Sequence, residues 1–190
     1  MTILGIDEVG RGCLAGPLVV GAVILSEEIP GLKDSKLLSK KKRGYYSKII
    51  KESALYIGLG WVSSKTLDRL GLSKSLELAA ARATSSIDIL YEEAIVDGNV
   101  DFLKGRFNAK TLVKADNLIN AVSAASIIAK VARDEYMLNL SSQYPKYAFD
   151  TNVGYGTREH IKAIEQYGIS PYHRQSFEPI KSLVKEKNIF

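Results

Sequence analysis

Residues 2–12 read TILGIDEVGRG, and this stretch decides the fold class. Its first half, Ile3 to Ile6, is apolar and typical of a buried strand. Asp7 and Glu8 follow directly, although acidic residues are depleted in strands. A buried carboxylate must be paired, protonated or bound to a cation, because burying it alone is very costly. The two acids therefore indicate a functional site at the end of the first strand.

The segments that follow predict an α/β fold with a sheet of mixed direction. Gly16-Pro17 indicates a turn, and residues 18–25 (LVVGAVIL) predict a second buried strand, antiparallel to the first. Early antiparallel strands followed by alternating helices and strands imply a mixed sheet flanked by helices. Further strands are predicted over 55–62 and 93–98, and helices over 40–51, 76–90, 117–140 and 157–168.

Composition limits the classes of protein that fit. A chain of 190 residues with 46% hydrophobic and 25% charged residues predicts one globular domain over 1–190, with a C-terminal helical part from about 141. Length alone also allows two small domains. No apolar run reaches the roughly 18 residues of a membrane span. The single cysteine, Cys13, excludes an internal disulfide. We therefore expect a cytoplasmic protein, and the net charge of +5 permits a polyanionic partner without requiring one.

The glycines after the first strand allow two interpretations. Gly10-x-Gly12-x-x-Ala15 fits the dinucleotide-binding pattern, but that pattern needs a helix immediately afterwards. Pro17 and the strand predicted over 18–25 argue against such a helix. The glycines instead expose backbone N–H groups next to Arg11, which suits a phosphate or a sugar hydroxyl. A tight turn without a ligand is the alternative.

Two further acids occur where elements end or begin. Asp97 ends the short apolar strand 94–96, although Asp-Gly-Asn is also a common turn sequence. Asp116 precedes the long helix, where it also suits an N-cap. Together with Asp7 and Glu8, these acids can converge at one edge of the sheet. Carboxylates without histidines or thiols are hard oxygen ligands that suit Mg²⁺ or Mn²⁺.

One geometric difficulty concerns the first pair of acids. Neighbouring residues of a strand point to opposite faces of the sheet. Asp7 and Glu8 therefore both reach one metal site only if the backbone bends, and Gly10 and Gly12 lie close enough to allow that bend.

Motifs along almost the whole chain carry a family resemblance. They are IDEVGRG (6–12), LAGP (14–17), DSK (34–36), VDGN (96–99), KAD (114–116), AASIIAKV (124–131), GYGT (154–157), His160 and HRQSF (173–177). In this order they resemble the motifs of ribonuclease HII, the type 2 ribonuclease H family. Ribonuclease HIII usually has Ser and Lys where this chain has Val9 and Arg11. Cys13 departs from the family pattern, which commonly has proline there.

The resemblance implies a ribonuclease H-like fold and an endonuclease that cuts the RNA strand of RNA–DNA hybrids. It also implies incision at single ribonucleotides embedded in duplex DNA. The catalytic and metal-binding quartet of the family falls on Asp7, Glu8, Asp97 and Asp116. Two Mn²⁺ or Mg²⁺ ions held there would clamp the scissile phosphate and leave 5′-phosphate and 3′-hydroxyl ends.

The resemblance also implies residues that bind the substrate. Gly10, Arg11 and Gly12 correspond to the motif that senses the 2′-hydroxyl at the RNA-to-DNA junction. Tyr155 corresponds to the tyrosine that stacks on the junction sugar, although a tyrosine between glycines is by itself typical of a turn. Basic side chains are further candidates for phosphate contacts, namely Lys36, Lys114, Arg158 and Arg174.

The expected partners are RNA–DNA hybrids and DNA duplexes that contain ribonucleotides. We expect a monomer with no obligate protein partner. Two alternatives stay open from the sequence. One is another nuclease or strand-transfer enzyme with the same metal-binding acids, and the other is a nucleic-acid-binding module without chemistry.

Overall fold

A computed structural model of the chain describes residues 2–33 and 35–187. Its strands are β1 (Ile3–Val9), β2 (Leu18–Leu25), β3 (Ala54–Val62), β4 (Glu93–Asp97) and β5 (Ala109–Leu112). They form one sheet in the order β3-β2-β1-β4-β5. β2 is antiparallel to both β1 and β3, whereas β4 is parallel to β1 and β5 is parallel to β4. The predicted mixed sheet and the antiparallel β1–β2 pair are confirmed.

Helices cover both faces of this sheet. They are α1 (Lys40–Ser53), α2 (Ser64–Leu70), α3 (Leu72–Ala83), α4 (Ala115–Leu118), α5 (Asn120–Gln143), α6 (Phe149–Asn152), α7 (Arg158–Tyr167) and α8 (Ile180–Lys187). α5 packs against β1 and β2 on one face, and α3 packs against β2 and β3. Ser39 caps α1 and Thr157 caps α7, because each side chain accepts a hydrogen bond from the first turn of its helix.

Two glycines bring the backbone of α5 into direct contact with the centre of the sheet. A Cβ atom on Gly5 would lie 2.1 Å from the carbonyl carbon of Ala121, and one on Gly21 would lie 2.5 Å from the carbonyl oxygen of Ala125. Gly21 is the cross-strand neighbour of Asp7. The close approach therefore places α5 directly beside the first acid of the site.

Two helix boundaries differ from the prediction. The helix predicted over 76–90 ends at Ala83, because the Thr84 hydroxyl bonds back to the carbonyl of Ala80 and competes with the helical backbone. The helix predicted over 117–140 is divided into α4 and α5 by Ile119, which is extended (φ −117°, ψ 115°). The break turns the chain so that α4 lies at the sheet edge and α5 crosses its face.

The core has separate parts on the two faces of the sheet. Residues of α3 and the alternate positions of β1 and β2 fill one part, and residues of α1 and α5 fill another. A third cluster joins the end of α5 to α6, α7 and α8. Within the described ranges, no helix combines the length and apolar character needed to cross a membrane.

Candidate active site

Three carboxylates converge at one edge of the sheet. Asp7 lies near the end of β1, Asp97 ends β4, and Asp116 lies in α4. One carboxylate oxygen from each lies within 4.8 Å of the others. Parallel pairing of β1 with β4 explains the approach of the first two, because both strands end at the same edge. We call these residues the acid triad.

Short hydrogen bonds hold the triad in place. The Ala115 N–H donates to Oδ1 of Asp97 at 2.8 Å, which joins the end of β4 to the start of α4. The Ser123 hydroxyl of α5 donates to the backbone carbonyl of Asp116 at 2.6 Å. Lys114 adopts a left-handed conformation (φ 61°, ψ 32°) immediately before α4. That conformation is uncommon for lysine, and it turns the chain from β5 into the helix that carries Asp116.

The interpretation of Asp116 as an N-cap of the long helix is wrong. Asp116 lies inside α4, whose N-cap residue is Lys114. α5 follows Ile119, which provides no side-chain cap. The Asp116 carboxylate instead accepts a hydrogen bond from Asn117 Nδ2 at 3.2 Å and faces the triad.

The electrostatics of the triad favour a bound cation. Asp7 is only 5% exposed, and this burial raises the pKa of its carboxyl group to about 8. The negative charges of Glu8 and Asp97 raise the pKa further, and a hydrogen bond from Ser126 opposes the shift. Crowded, buried carboxylate oxygens are the donor set that Mg²⁺ and Mn²⁺ prefer. The residues therefore fit divalent cations, with Asp7, Asp97 and Asp116 as ligands.

Glu8 lies apart from the three converging oxygens. Ile6 packs into the core on the α3 side of the sheet, whereas Asp7 reaches Ser126 of α5 on the other side. Strand alternation therefore directs Glu8 to the side opposite Asp7. Its carboxylate forms an ion pair with Arg11 Nη1 at 3.4 Å. Burial raises the pKa of Glu8, and the charge of Arg11 opposes this change.

Most of the predicted substrate-binding residues are exposed at the surface. Gly10 has a positive φ of 85°, which favours glycine, and Arg11 and Gly12 are exposed. Lys36 Nζ lies 3.8 Å from Asp116 Oδ2. Tyr155 is 41% exposed, with the ammonium group of Lys130 5.9 Å from its ring centroid. Asp34 of the DSK motif lies outside the described residues.

Two of the remaining basic residues are exposed, and one is not. The side chains of Lys114 and Arg158 lie at the surface, at the start of α4 and of α7. Arg174 is fully buried, so the prediction that it contacts phosphate is wrong. Its guanidinium donates to the backbone carbonyls of Gly16 and Arg11. Burial lowers the pKa of Arg174 to about 10, which leaves it protonated at neutral pH.

Sequence reasoning missed the polar residues of α5. Ser126 contacts Asp7, and its hydroxyl lies 2.9 Å from that of Ser35. Lys130, one turn further on, pairs with Asp134 at 2.8 Å and faces Tyr155. The available signal was their spacing, because polar residues four apart in an apolar helix share one face.

Two buried histidines support the backbone of Tyr155. His160 Nδ1 lies 2.8 Å from the Tyr155 carbonyl, so this nitrogen carries the proton. Its Nε2 then accepts from Nε2–H of His173 at 3.0 Å, and His173 Nδ1 accepts from the N–H of Ser170. Burial lowers the pKa of both rings, that of His173 to about 4. Both rings are therefore neutral at neutral pH, and together they connect Tyr155 to the C-terminal segment.

A mixed sheet that carries clustered acids at this edge defines a ribonuclease H-like enzyme. The model of the ribonuclease HII family matches residues 4–180. Ribonuclease HII of Dechloromonas aromatica (strain RCB) is 46% identical over 180 residues, covering 94% of this chain and 91% of that protein. The chain belongs to the ribonuclease HII family. It is an endonuclease that acts on the RNA strand of RNA–DNA hybrids.

Solved structures agree with this assignment. Ribonuclease H2 from Pyrococcus horikoshii OT3 superposes with a TM-score of 0.83 at 26% identity, covering 100% of both chains. A chain of the PCNA:RNase HII complex from Archaeoglobus fulgidus gives a TM-score of 0.80 at 26% identity, covering 94% of this chain and 96% of that one. The predicted ribonuclease H-like fold is confirmed.

Proposed function

We propose that this enzyme incises DNA duplexes at embedded ribonucleotides, as well as cutting RNA–DNA hybrids, by two-metal-ion catalysis. The observation that carries the proposal is that a loop with exposed Arg11 and Gly12 begins three residues after Asp7 of the acid triad and is hydrogen-bonded to a second loop with exposed Tyr155. The first, the glycine loop, comprises residues 10–17, and the second, the tyrosine loop, comprises residues 153–156. The N–H groups of Leu14 and Ala15 donate to the Gly154 carbonyl at 2.8 and 3.2 Å, so the loops are neighbours.

The acids provide the catalytic part of the proposal. Asp7, Asp97 and Asp116 would hold the divalent cations, and Glu8 would order the attacking water or contact the ribose. Two such ions would supply charge neutralisation and an activated water for attack on the phosphodiester. The Ala115 N–H donates to the Asp97 carboxylate, and the Ser123 hydroxyl donates to the backbone carbonyl of Asp116, so both residues are held in place. The products would carry 5′-phosphate and 3′-hydroxyl ends.

The two loops provide the recognition part. Only the 2′-hydroxyl distinguishes RNA from DNA at a single nucleotide. Gly10, Arg11 and Gly12 would contact this hydroxyl through backbone groups, and the exposed ring of Tyr155 would stack on the sugar beside it. The exposed cations Lys36, Lys114 and Arg158 would contact phosphates of the duplex. All of these residues belong to one chain, so we also propose activity as a monomer without an obligate protein partner.

A cleavage assay with purified protein tests this function. The protein is incubated with a DNA duplex that contains one ribonucleotide, with an RNA–DNA hybrid and with an all-DNA duplex. We expect incision of the first two with Mg²⁺ or Mn²⁺, and no cleavage of any duplex in EDTA. Cleavage of all-DNA duplex would support another nuclease of the same fold. Binding without cleavage under every metal condition would support a module without chemistry.

Replacing Tyr155 by Ala tests its proposed role. We expect cleavage at an isolated ribonucleotide to slow by about tenfold to a hundredfold, because an aromatic stacking contact contributes about 1–3 kcal/mol. Mn²⁺ binding, measured by calorimetry, should not change. Tyr155→Phe keeps the ring and should retain most activity. Tyr45→Ala, at an exposed tyrosine of α1, is the matched control. Unchanged kinetics in Tyr155→Ala would remove the stacking role.

A further inference from the structure

Two fully buried arginines lie beneath the glycine and tyrosine loops. Arg133 of α5 and Arg174 both have 0% exposure. Arginine is seldom fully buried, because the charge must be compensated by hydrogen bonds or a counter-ion. Both guanidinium groups donate hydrogen bonds to backbone carbonyl oxygens of the loops above them. These arginines therefore bind the loops from inside the protein.

Arg133 connects the two loops to each other. Its Nε donates to the carbonyl of Pro17 at 2.9 Å, and its Nη2 donates to that of Ala15 at 3.1 Å. Its Nη1 donates to the carbonyl of Val153 at 2.8 Å. The planar guanidinium presents several donors in a fixed geometry, which a lysine cannot reproduce. This side chain thus adds three bonds to the backbone bonds from Leu14 and Ala15 that hold the tyrosine loop against the glycine loop.

Gly10 is in contact with the same guanidinium. A Cβ atom on Gly10 would lie 2.3 Å from Nε of Arg133. The glycine is therefore required by the buried cation below it as well as by its positive φ. This contact extends the influence of Arg133 to the start of the Gly-Arg-Gly motif.

Arg174 holds the same loop from a third segment. Its Nε and Nη2 donate to the Gly16 carbonyl at 3.1 and 3.0 Å, and its Nη1 donates to the Arg11 carbonyl at 3.1 Å. Arg11 is the central residue of the motif, and its side chain pairs with Glu8. The orientation of Arg11 thus depends on a buried cation as well as on the surface ion pair.

The tyrosine loop has a strained backbone at the residue that Arg133 binds. Val153 has a φ of 42° and a ψ of 32°, in the left-handed region that β-branched residues seldom adopt. Such a conformation persists only where the surroundings determine it strongly. Its carbonyl accepts from Arg133, and Tyr155 follows two positions later. Loss of this bond would allow the loop to relax and Tyr155 to move.

The arginine and the triad are also connected through α5. Ser126 contacts Asp7, and Arg133 lies about two turns further along the same helix, or about 10 Å. A regular helix is stiff over this length, so the loops take their position from the element that also supports the triad.

We propose that Arg133, together with Arg174, is a positioning residue that holds the glycine and tyrosine loops at a fixed place relative to the acid triad. The inference rests on the proposed recognition of single ribonucleotides. A continuous RNA strand offers a 2′-hydroxyl at every nucleotide, so a displaced loop still finds one. An isolated ribonucleotide offers a single 2′-hydroxyl. Loss of positioning should therefore affect the isolated ribonucleotide most.

The test compares single-turnover rates of Arg133→Ala on two substrates with Mn²⁺. We expect cleavage at one embedded ribonucleotide to fall about 100-fold, as for a small misplacement of a reacting group, and cleavage of a continuous hybrid to fall less than about tenfold. Millimolar guanidinium chloride, well below denaturing concentrations, should fill the cavity and restore much of the lost rate. Sodium chloride at equal ionic strength should not. Mn²⁺ affinity, measured by calorimetry, should match that of the wild type.

Control variants separate positioning from general stability. Ile50→Ala removes a buried side chain of α1, in a core cluster with α5 that contains no residue of either loop, and should lower the Tm without changing the ratio of the two rates. Arg133→Lys keeps the charge with fewer donors and should give an intermediate ratio, which provides a second measurement if the alanine variant does not fold. Arg174→Lys should change the ratio in the same direction.

Several results would overturn the inference. If Arg133→Ala lowered the rates on both substrates equally and in step with its Tm, as expected for Ile50→Ala, Arg133 would have a structural role only. If the ratio of the two cleavage rates were unchanged in both Arg133→Ala and Arg133→Lys, the positioning role would also be excluded. A wild-type enzyme that leaves isolated ribonucleotides intact would overturn the proposed function itself, and this outcome is visible before any variant is made.

Discussion

Replacing Asp97 by Asn is expected to lower the cleavage rate about 1,000-fold or more, which corresponds to about 4 kcal/mol of the activation barrier. The substitution removes one charged ligand oxygen from the acid triad. It leaves the oxygen that accepts from Ala115 N–H at 2.8 Å, so the fold should persist. Single-turnover cleavage of a duplex with one ribonucleotide, in Mg²⁺ and in Mn²⁺, measures the effect.

Substrate binding by the same variant should be retained. The phosphates of the duplex contact cations, and the loss of one negative charge does not weaken that attraction. A binding titration in EDTA, compared with the wild type, checks this expectation. Asp88→Asn removes an exposed carboxylate and is the matched control, with cleavage unchanged. Normal cleavage by Asp97→Asn in Mn²⁺ would falsify the catalytic assignment.

Replacing Asp7 by Asn is expected to abolish activity and yet to stabilise the metal-free protein by about 2 kcal/mol, or roughly 4–8 °C in Tm. The native carboxylate is buried next to Asp97 and within electrostatic range of Glu8, and the neutral amide is free of their repulsion. Thermal unfolding in EDTA measures the difference. With saturating Mn²⁺ the order should reverse, because only the wild type gains the full free energy of metal binding.

The pH dependence gives this prediction a second readout. The pKa of Asp7 is raised from 3.8 to about 8, so the folded wild type binds more protons than the unfolded chain between these values. Its free energy of unfolding therefore declines through this window as pH rises. The advantage of Asp7→Asn in EDTA should grow from pH 4 to pH 8. A variant less stable than the wild type at pH 8 without metal would contradict the argument.

Most of the sheet was predictable because strand signals are local. Residues 18–25 are apolar and half of them are β-branched, and they form β2 as expected. The convergence of Asp7 and Asp97 was also predictable, because each acid lies at or near the end of an apolar strand and parallel strands end at one edge. Side chains alternate along a strand, which correctly indicated that Asp7 and Glu8 would not easily reach one metal site. In the structure the Glu8 carboxylate pairs with Arg11 instead.

Features that depend on distant contacts were not predictable. Ile119 divides the long helix, although its own side chain gives no such signal, and Ser123 bonds to the Asp116 carbonyl across the break. Arg174 looked like a surface cation because its partner Gly16 lies 158 positions away in the sequence. Burial of a guanidinium depends on carbonyl oxygens that only the folded chain brings together. Composition and periodicity do not indicate which carbonyl oxygens will meet a given arginine.

The regular course of α5 restricts how the length of this chain can change. An α-helix turns by about 100° per residue, so one residue inserted or deleted between positions 126 and 133 would rotate Arg133 away from both loops if Ser126 kept its contact with Asp7. An insertion in this stretch should therefore impair the enzyme even if all the acids of the active site are preserved. Substitutions of exposed residues on the same helix should have little effect, because they leave this spacing unchanged.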